Sequence, residues 1–133
     1  MRADATFTVA EFTPAPVPAS DVTTALPVGV ATMTKTFTGA IEGRAATIFT
    51  SAFDADKGLG TYVALESFTG TVDGRAGAFN FVHSASTSGE DRSNEVFFIV
   101  PDSGTDELAG LTGTGGIAID ADRTHRIWLD YQL

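Results

Sequence analysis

From Met33 to Phe53, apolar residues and hydroxyls take turns along the chain. Met33, Phe37, Gly39 and Ile41 interleave with Thr32, Thr34, Thr36 and Thr38. A period of two is the mark of a sheet with one buried face. The segment reads as a hairpin with its turn at Glu42-Gly43. Met33, Phe37, Gly39, Ile41, Ala46, Ile48 and Ala52 then share an apolar face with Lys35. Thr32, Thr34, Thr36, Thr38, Thr47 and Ser51 share the other, with Phe49 and Phe53 as exceptions. The threonine ladder reads as a solvated β face; an ice-binding or carbohydrate surface is the alternative.

A second hairpin has a sharper signal. Val72-Asp73-Gly74-Arg75 carries the Asp-Gly pair of a two-residue type I′ turn. It sets Phe68 opposite Phe79, Glu66 opposite Phe81 and Ala64 opposite His83. Tyr62, Ala64, Glu66, Phe68, Phe79, Phe81 and His83 lie on one face. Val63, Leu65, Ser67, Ala78, Asn80 and Val82 lie on the other. The first face holds the large rings and is read as the interior.

Strands are also expected near Asp4 to Thr13, Asn94 to Val100, Thr114 to Asp120 and Thr124 to Tyr131. Between the first two strands lies a proline-rich stretch, residues 14–27, with Pro14, Pro16, Pro18 and Pro27. Proline removes ladder donors, so this stretch reads as a connection, either a lid or binding loop or a packed surface crossing. Ser103 to Asp106 has the S-x-x-D spacing of a capping box, with room for one turn before Gly110. No stretch keeps apolar residues three and four apart, so no long helix is expected. Eight strands avoid free edges by closing up. The fold class is therefore all-β: one eight-stranded, mostly antiparallel β-barrel over residues 1–133. The interior of such a barrel is filled by side chains or holds one small ligand.

Composition narrows the partners. The 133 residues fit one domain of roughly 150. Eight basic residues against seventeen acidic ones leave a net charge of −9, which repels phosphate backbones, so nucleic acid is not expected. There is no cysteine, which excludes disulfides and thiolate chemistry. No apolar run nears the ~20 residues of a membrane span. The first residues lack the apolar core of a signal peptide. A soluble cytoplasmic domain without membrane contact is the expectation, and homo-oligomerisation is left open.

Four blocks resemble a known group. Thr34-Lys35-Thr36-Phe37-Thr38-Gly39-Ala40-Ile41-Glu42-Gly43 is similar to the opening signature of a bacterial family of small uncharacterised domains. Tyr62-Val63-Ala64-Leu65-Glu66 with Gly70, Gly74-Arg75 and Phe79 to His83 resembles its central hairpin. Ser103 to Gly113 resembles its third block, and Leu129-Asp130-Tyr131 its ending. The family is grouped with the allene oxide cyclase barrel, shared by plant dirigent proteins. The resemblance implies an eight-stranded antiparallel barrel with an apolar cavity, and no assigned reaction. The plant cyclase uses a first-strand glutamate near one mouth, and Val9-Ala10-Glu11-Phe12 is similar in position, which puts Glu11 forward. The cyclase also relies on a cavity cysteine, which this chain lacks.

The candidate chemistry centres on Glu66 and His83. Diagonal neighbours in a ladder lie about 7–8 Å apart, within reach of long side chains. A carboxylate and an imidazole among phenylalanine rings suit proton transfer; equally, they satisfy each other as a buried hydrogen bond. Lys35 on the apolar face either polarises a carbonyl or snorkels to pair with Glu66 or Glu11. Tyr62 can donate a proton or serve as an ordinary strand aromatic. Phe37, Phe68, Phe79, Phe81 and Met33 are the expected wall around an apolar substrate. No metal is expected: His83 and His125 are the only histidines and lack ligand spacing, and Asp102, Asp106 and Glu107 lack a calcium-loop pattern. Gly113-Thr114-Gly115-Gly116 has no strand-turn-helix around it, so no dinucleotide cofactor is expected either. The expectation is a cofactor-free isomerase or cyclase acting on an apolar small molecule. The alternatives are a carrier for a hydrophobic ligand and a filled barrel with a structural role.

Overall fold

Alternation in the sequence becomes alternation in burial. In the computed structural model, which describes residues 1–18 and 20–133, Ala3, Ala5 and Phe7 of the first strand are buried and their neighbours are exposed. The strands are β1 (Arg2–Ala15), β2 (Val28–Gly39), β3 (Ile41–Asp54), β4 (Leu59–Val72), β5 (Arg75–Ser88), β6 (Asp91–Ile99), β7 (Thr112–Ile119) and β8 (His125–Gln132). The helical content among the described residues is one 3-10 turn, Asp106–Leu108. Each strand pairs antiparallel with the next, and β8 returns to β1. The sheet is thus a closed ring. One seam is thin: β6 and β7 share a single register pair, Phe98 with Thr114. No helix is long and apolar enough to cross a membrane.

The Asp-Gly turn forms where the sequence puts it. Asp73 and Gly74 both have positive φ, 48° and 82°, as type I′ requires. Phe68 pairs with Phe79, Glu66 with Phe81 and Ala64 with His83.

The β2–β3 register differs from the expected one. The turn is at Ala40, not at Glu42-Gly43, and Met33 pairs with Thr47, Lys35 with Ala45 and Phe37 with Gly43. A shift that changes parity turns one strand over. Ala45 and Thr47 therefore face inward with half-buried Phe49, while Ile48 is outside. Gly43 is a strand residue opposite Gly70, where the two backbones approach so closely that a Cβ on either would strike the other strand. The glycine that looked like a turn serves a close crossing instead.

Two smaller expectations also change. Pro14 and Ala15 belong to β1, where they pair with Ala31 and Val30. The β8 ladder on the other side of β1 ends at Phe7, so the missing Pro14 N–H breaks no bond there. Ala19, inside the proline-rich stretch, lies outside the described residues. The capping box does not form. Thr105 precedes the 3-10 turn without a side-chain cap. Ser103 Oγ donates to the Val100 carbonyl at 2.7 Å and accepts from the Asn80 N–H at 3.0 Å. Thr105 Oγ1 and Glu107 Oε1 accept from the N–H groups of Ala78 and Ala76. Residues 100–108 thereby stand in for a strand along the part of β5 that β6 does not reach.

This segment also plugs one end of the ring. Leu108 and Leu111 are fully buried in the same core as Phe37, Phe68, Phe79, Phe81 and Phe97. Tyr131 Oη donates to Asp73, tying the end of β8 to the β4–β5 turn. On the outer wall Ile48, Leu65, Val82 and Phe98 stand opposite one another across β3 to β6. Ile48, Leu65 and Phe98 are 40–55% exposed.

Candidate functional site

The end of the ring away from the plug is hollow. A cavity of about 680 Å³ opens there, within the range of small-molecule sites. Phe7, Met33, Phe49 and Ile117 supply much of its apolar wall. Ala64 opposite His83 leaves the middle of the wall low.

The floor carries a buried ion pair. Lys35 Nζ lies 3.0 Å from each oxygen of Glu66, which is wholly buried. Thr47 Oγ1 donates to Glu66 Oε1 at 2.7 Å. Three donor contacts thus compensate the carboxylate, which burial alone would make costly. Lys35 also sits 5.1 Å from the centre of the Phe7 ring. The lysine pairs with Glu66, one of the two expected partners, and not with Glu11.

Above the floor lies a second polar group on β4, β5 and β6. His83 Nε2 is 2.9 Å from Glu95 Oε2. Tyr62 Oη is 3.4 Å from His83 Nδ1 and accepts from Arg92 at 2.7 Å. Arg92 also donates to the Ile117 carbonyl at 3.0 Å and reaches Glu95 Oε2 at 3.4 Å. Nε2 faces the Glu95 carboxylate at 2.9 Å and Arg92 Nη2 at 3.3 Å; the nearer group can only accept, so the tautomer inferred carries its proton on Nε2. Nδ1 then presents a lone pair towards the tyrosine. Burial lowers the His83 pKa below the ordinary imidazole value; the hydrogen bond and charge of Glu95 oppose this, and Arg92 and Lys35 add to it. Burial raises the Tyr62 pKa, with Arg92 pulling the other way. Near neutral pH the group therefore holds a neutral imidazole beside a protonated phenol.

Ring packing fixes both. Tyr62 stacks on Phe49 at 5.1 Å, and Phe97 lies 5.7 Å from the His83 ring. No buried side-chain nitrogen or oxygen among the described residues lacks a hydrogen-bond partner.

The sequence-predicted residues fall into four sets. Lys35, Tyr62, His83 and Met33 line the cavity. Glu66 lies beneath it, and the expected Glu66–His83 pair does not form: Lys35 and Thr47 take the carboxylate, and Glu95 takes the imidazole. Phe37, Phe68, Phe79 and Phe81 point inward as expected but lie in the core of the plugged end and do not line the cavity. Glu11 is exposed and outside the group, at a bulge where β1 slips against β2 and where its own φ is 59°.

Arg92, Glu95 and Thr47 were missed. Thr47 went with the β3 register. Arg92 and Glu95 have opposite parity, so a regular β6 would send them to opposite faces. A bulge between Ser84 and Ser86 reverses the parity, with Asn94 at φ 55° inside it, so Arg92 lines the cavity while exposed Glu95 reaches His83 from the β6–β7 seam. An asparagine between two charged residues is the one signal in the sequence, since asparagine tolerates that conformation best. No trio of His, Asp or Glu able to hold a metal occurs among the described residues.

Comparison with known proteins places the chain in a family. The family model described as "Protein of unknown function (DUF3224)" matches residues 3–131. The chain belongs to the DUF3224 family. The crystal structure of a DUF3224 protein of unknown function from Shewanella oneidensis MR-1 superposes with a TM-score of 0.86 at 31% identity. The match covers 100% of this chain and 96% of that one. No curated protein matches. The family likeness expected from the four sequence blocks therefore holds at the level of a small domain family without an assigned function.

Proposed function

We propose that this DUF3224 domain binds one apolar small molecule in its hollow end and acts on it as a cofactor-free isomerase or cyclase. The observation that carries the reading is the Glu95–His83–Tyr62–Arg92 group against an apolar cavity. Glu95 orients the imidazole, the imidazole offers a lone pair, and Tyr62 offers a proton. An apolar wall holds a flexible molecule in one shape, which supplies orientation. The resemblance to allene oxide cyclase and dirigent barrels agrees with such a use of the cavity and is a fold-level analogy. Lys35 and Glu66 set the floor of the site. No metal, cofactor, nucleic acid or membrane enters this reading. The outer row Ile48, Leu65, Val82 and Phe98 is the surface that a homo-oligomer would bury.

A carrier is the second reading, favoured by the apolar wall alone. Native mass spectrometry with a panel of neutral terpenoid, aliphatic and aromatic compounds separates the two. A 1:1 complex whose ligand returns at the same mass with altered chromatographic retention marks an isomerase. A ligand returned unchanged marks a carrier. The absence of any complex across the panel contradicts both.

A further inference from the structure

We infer that the ligand is a neutral apolar carbonyl compound and that the site moves a proton at the carbon next to its carbonyl. This rests on the cavity reading above and names its substrate class.

Charge pairing at the site argues for a neutral molecule. Lys35 is matched by Glu66, Arg92 by Glu95 and Asp120 by Arg126. Arg123 and Glu90, one of each sign, complete the charged lining. Among the described residues these two make no ion pair, but both are exposed at the rim; the charges further in, Lys35 and Arg92, are each matched, so the interior offers neither an anion nor a cation a free partner. What the site does present is one fixed proton donor and one fixed lone pair side by side. Tyr62 Oη already accepts from Arg92 at 2.7 Å, so its own proton is the one free to give. Its contact with His83 Nδ1 is long at 3.4 Å, against 2.7 Å for Arg92 with Tyr62 and 2.9 Å for His83 with Glu95. A ligand oxygen can take the phenol proton, and a ligand C–H can meet Nδ1, while the shorter bonds hold both rings in place. A donor at an oxygen and a base at the neighbouring carbon are what enolisation requires.

The step balances within these groups. The α C–H bond breaks and its proton forms an N–H bond at His83 Nδ1. The C–H electron pair becomes the new C=C bond, and the carbonyl π pair moves onto oxygen. Tyr62 donates to that oxygen, and the charge left on the phenol faces the Arg92 guanidinium. Glu95 faces the imidazolium through Nε2. For exchange, the imidazolium N–H swaps its proton with solvent through the open mouth before Nδ1 returns one to the same carbon; for a double-bond shift, Nδ1 delivers its proton to the γ carbon of an unsaturated ketone; in both, Tyr62 recovers its own. The net result is α-hydrogen exchange or a double-bond shift, with no oxidant or reductant.

The test uses 2-tetralone, a neutral bicyclic ketone, in deuterated buffer, with exchange of its C1 protons followed by NMR. Displacement of the neutral fluorophore N-phenyl-1-naphthylamine reads binding separately. The expected result is displacement together with exchange faster than in buffer. His83→Gln and Tyr62→Phe should each slow the protein-dependent exchange by about a hundredfold while fluorophore affinity changes less than about twofold. Tyr62→Phe keeps the ring on Phe49, so it reports the step even if the histidine variant folds poorly. Exchange no faster than in buffer, or equal in His83→Gln, overturns the inference while fluorophore binding leaves the cavity reading standing. So does a fluorophore that 2-tetralone cannot displace. Failure of the fluorophore itself to bind overturns both.

Discussion

At the plugged end of the ring, Phe37, Phe68, Phe79, Phe81 and Phe97 meet in a chain of ring contacts 5.0–6.1 Å apart. At the other end the same strands leave a cavity of about 680 Å³. Strand geometry is shared, so side-chain size and one covering segment make the difference. The β6–β7 segment inserts Leu108 and Leu111 at one end. At the other, Ala64 faces into the ring where β4 carries Phe68 further on. The Lys35–Glu66–Thr47 group marks the boundary between them. One end supplies burial, and the other spends little on stability and keeps polar groups at an apolar wall. Barrels of this size sit at the limit between filled and hollow interiors, and this one is both.

Substitutions should separate the two ends. Truncation in the filled end has the largest expected effect. Phe68→Ala, at a fully buried ring, should cost about 3–5 kcal/mol in denaturant unfolding, with fluorophore affinity of the folded protein little changed. At the boundary, Lys35→Met leaves Glu66 buried without its cation and should cost about 3–5 kcal/mol. The double change Lys35→Met with Glu66→Leu should recover much of that, because it removes the uncompensated charge. Equal losses in the single and double variants would show that the pair is not what holds the boundary. In the hollow end, half-buried Phe49→Ala should cost only about 1–2 kcal/mol but weaken the fluorophore markedly.

The smallest effect is on pH dependence. Burial holds the folded His83 pKa below its unfolded value of about 6.5. The unfolded chain therefore binds that proton first as pH falls. The stability contribution is full above the unfolded value and is lost as pH drops below it. His83→Gln should flatten the wild-type slope in that window, read as midpoint denaturant concentration against pH. An unchanged slope would place the titration elsewhere.

The sequence carried more of the filled end than of the hollow one. Asp73-Gly74 admits one turn type, and its register put Phe68, Phe79, Phe81, Glu66 and His83 on the inner face at once. The β2–β3 register was harder to see, because Gly43 signals a turn and a close strand crossing with the same letter. That misreading hid Thr47. The partners of His83 were hidden by a bulge, since inward and outward parity changes within β6 at Asn94. Glu11 shows the same limit from the other side: a motif matched in position, and a bulge turned it out to solvent. Irregular strands carry the site, and a period of two cannot follow them.

The central claim is that the end containing Ala64 is empty and receives an apolar molecule. Fluorescence titration of N-phenyl-1-naphthylamine into the wild type and into Ala64→Trp tests it. The account predicts saturable one-to-one binding to the wild type, and its loss in an Ala64→Trp protein that unfolds cooperatively, because the indole occupies the cavity. Equal binding by the two proteins, or none by the wild type, would contradict it.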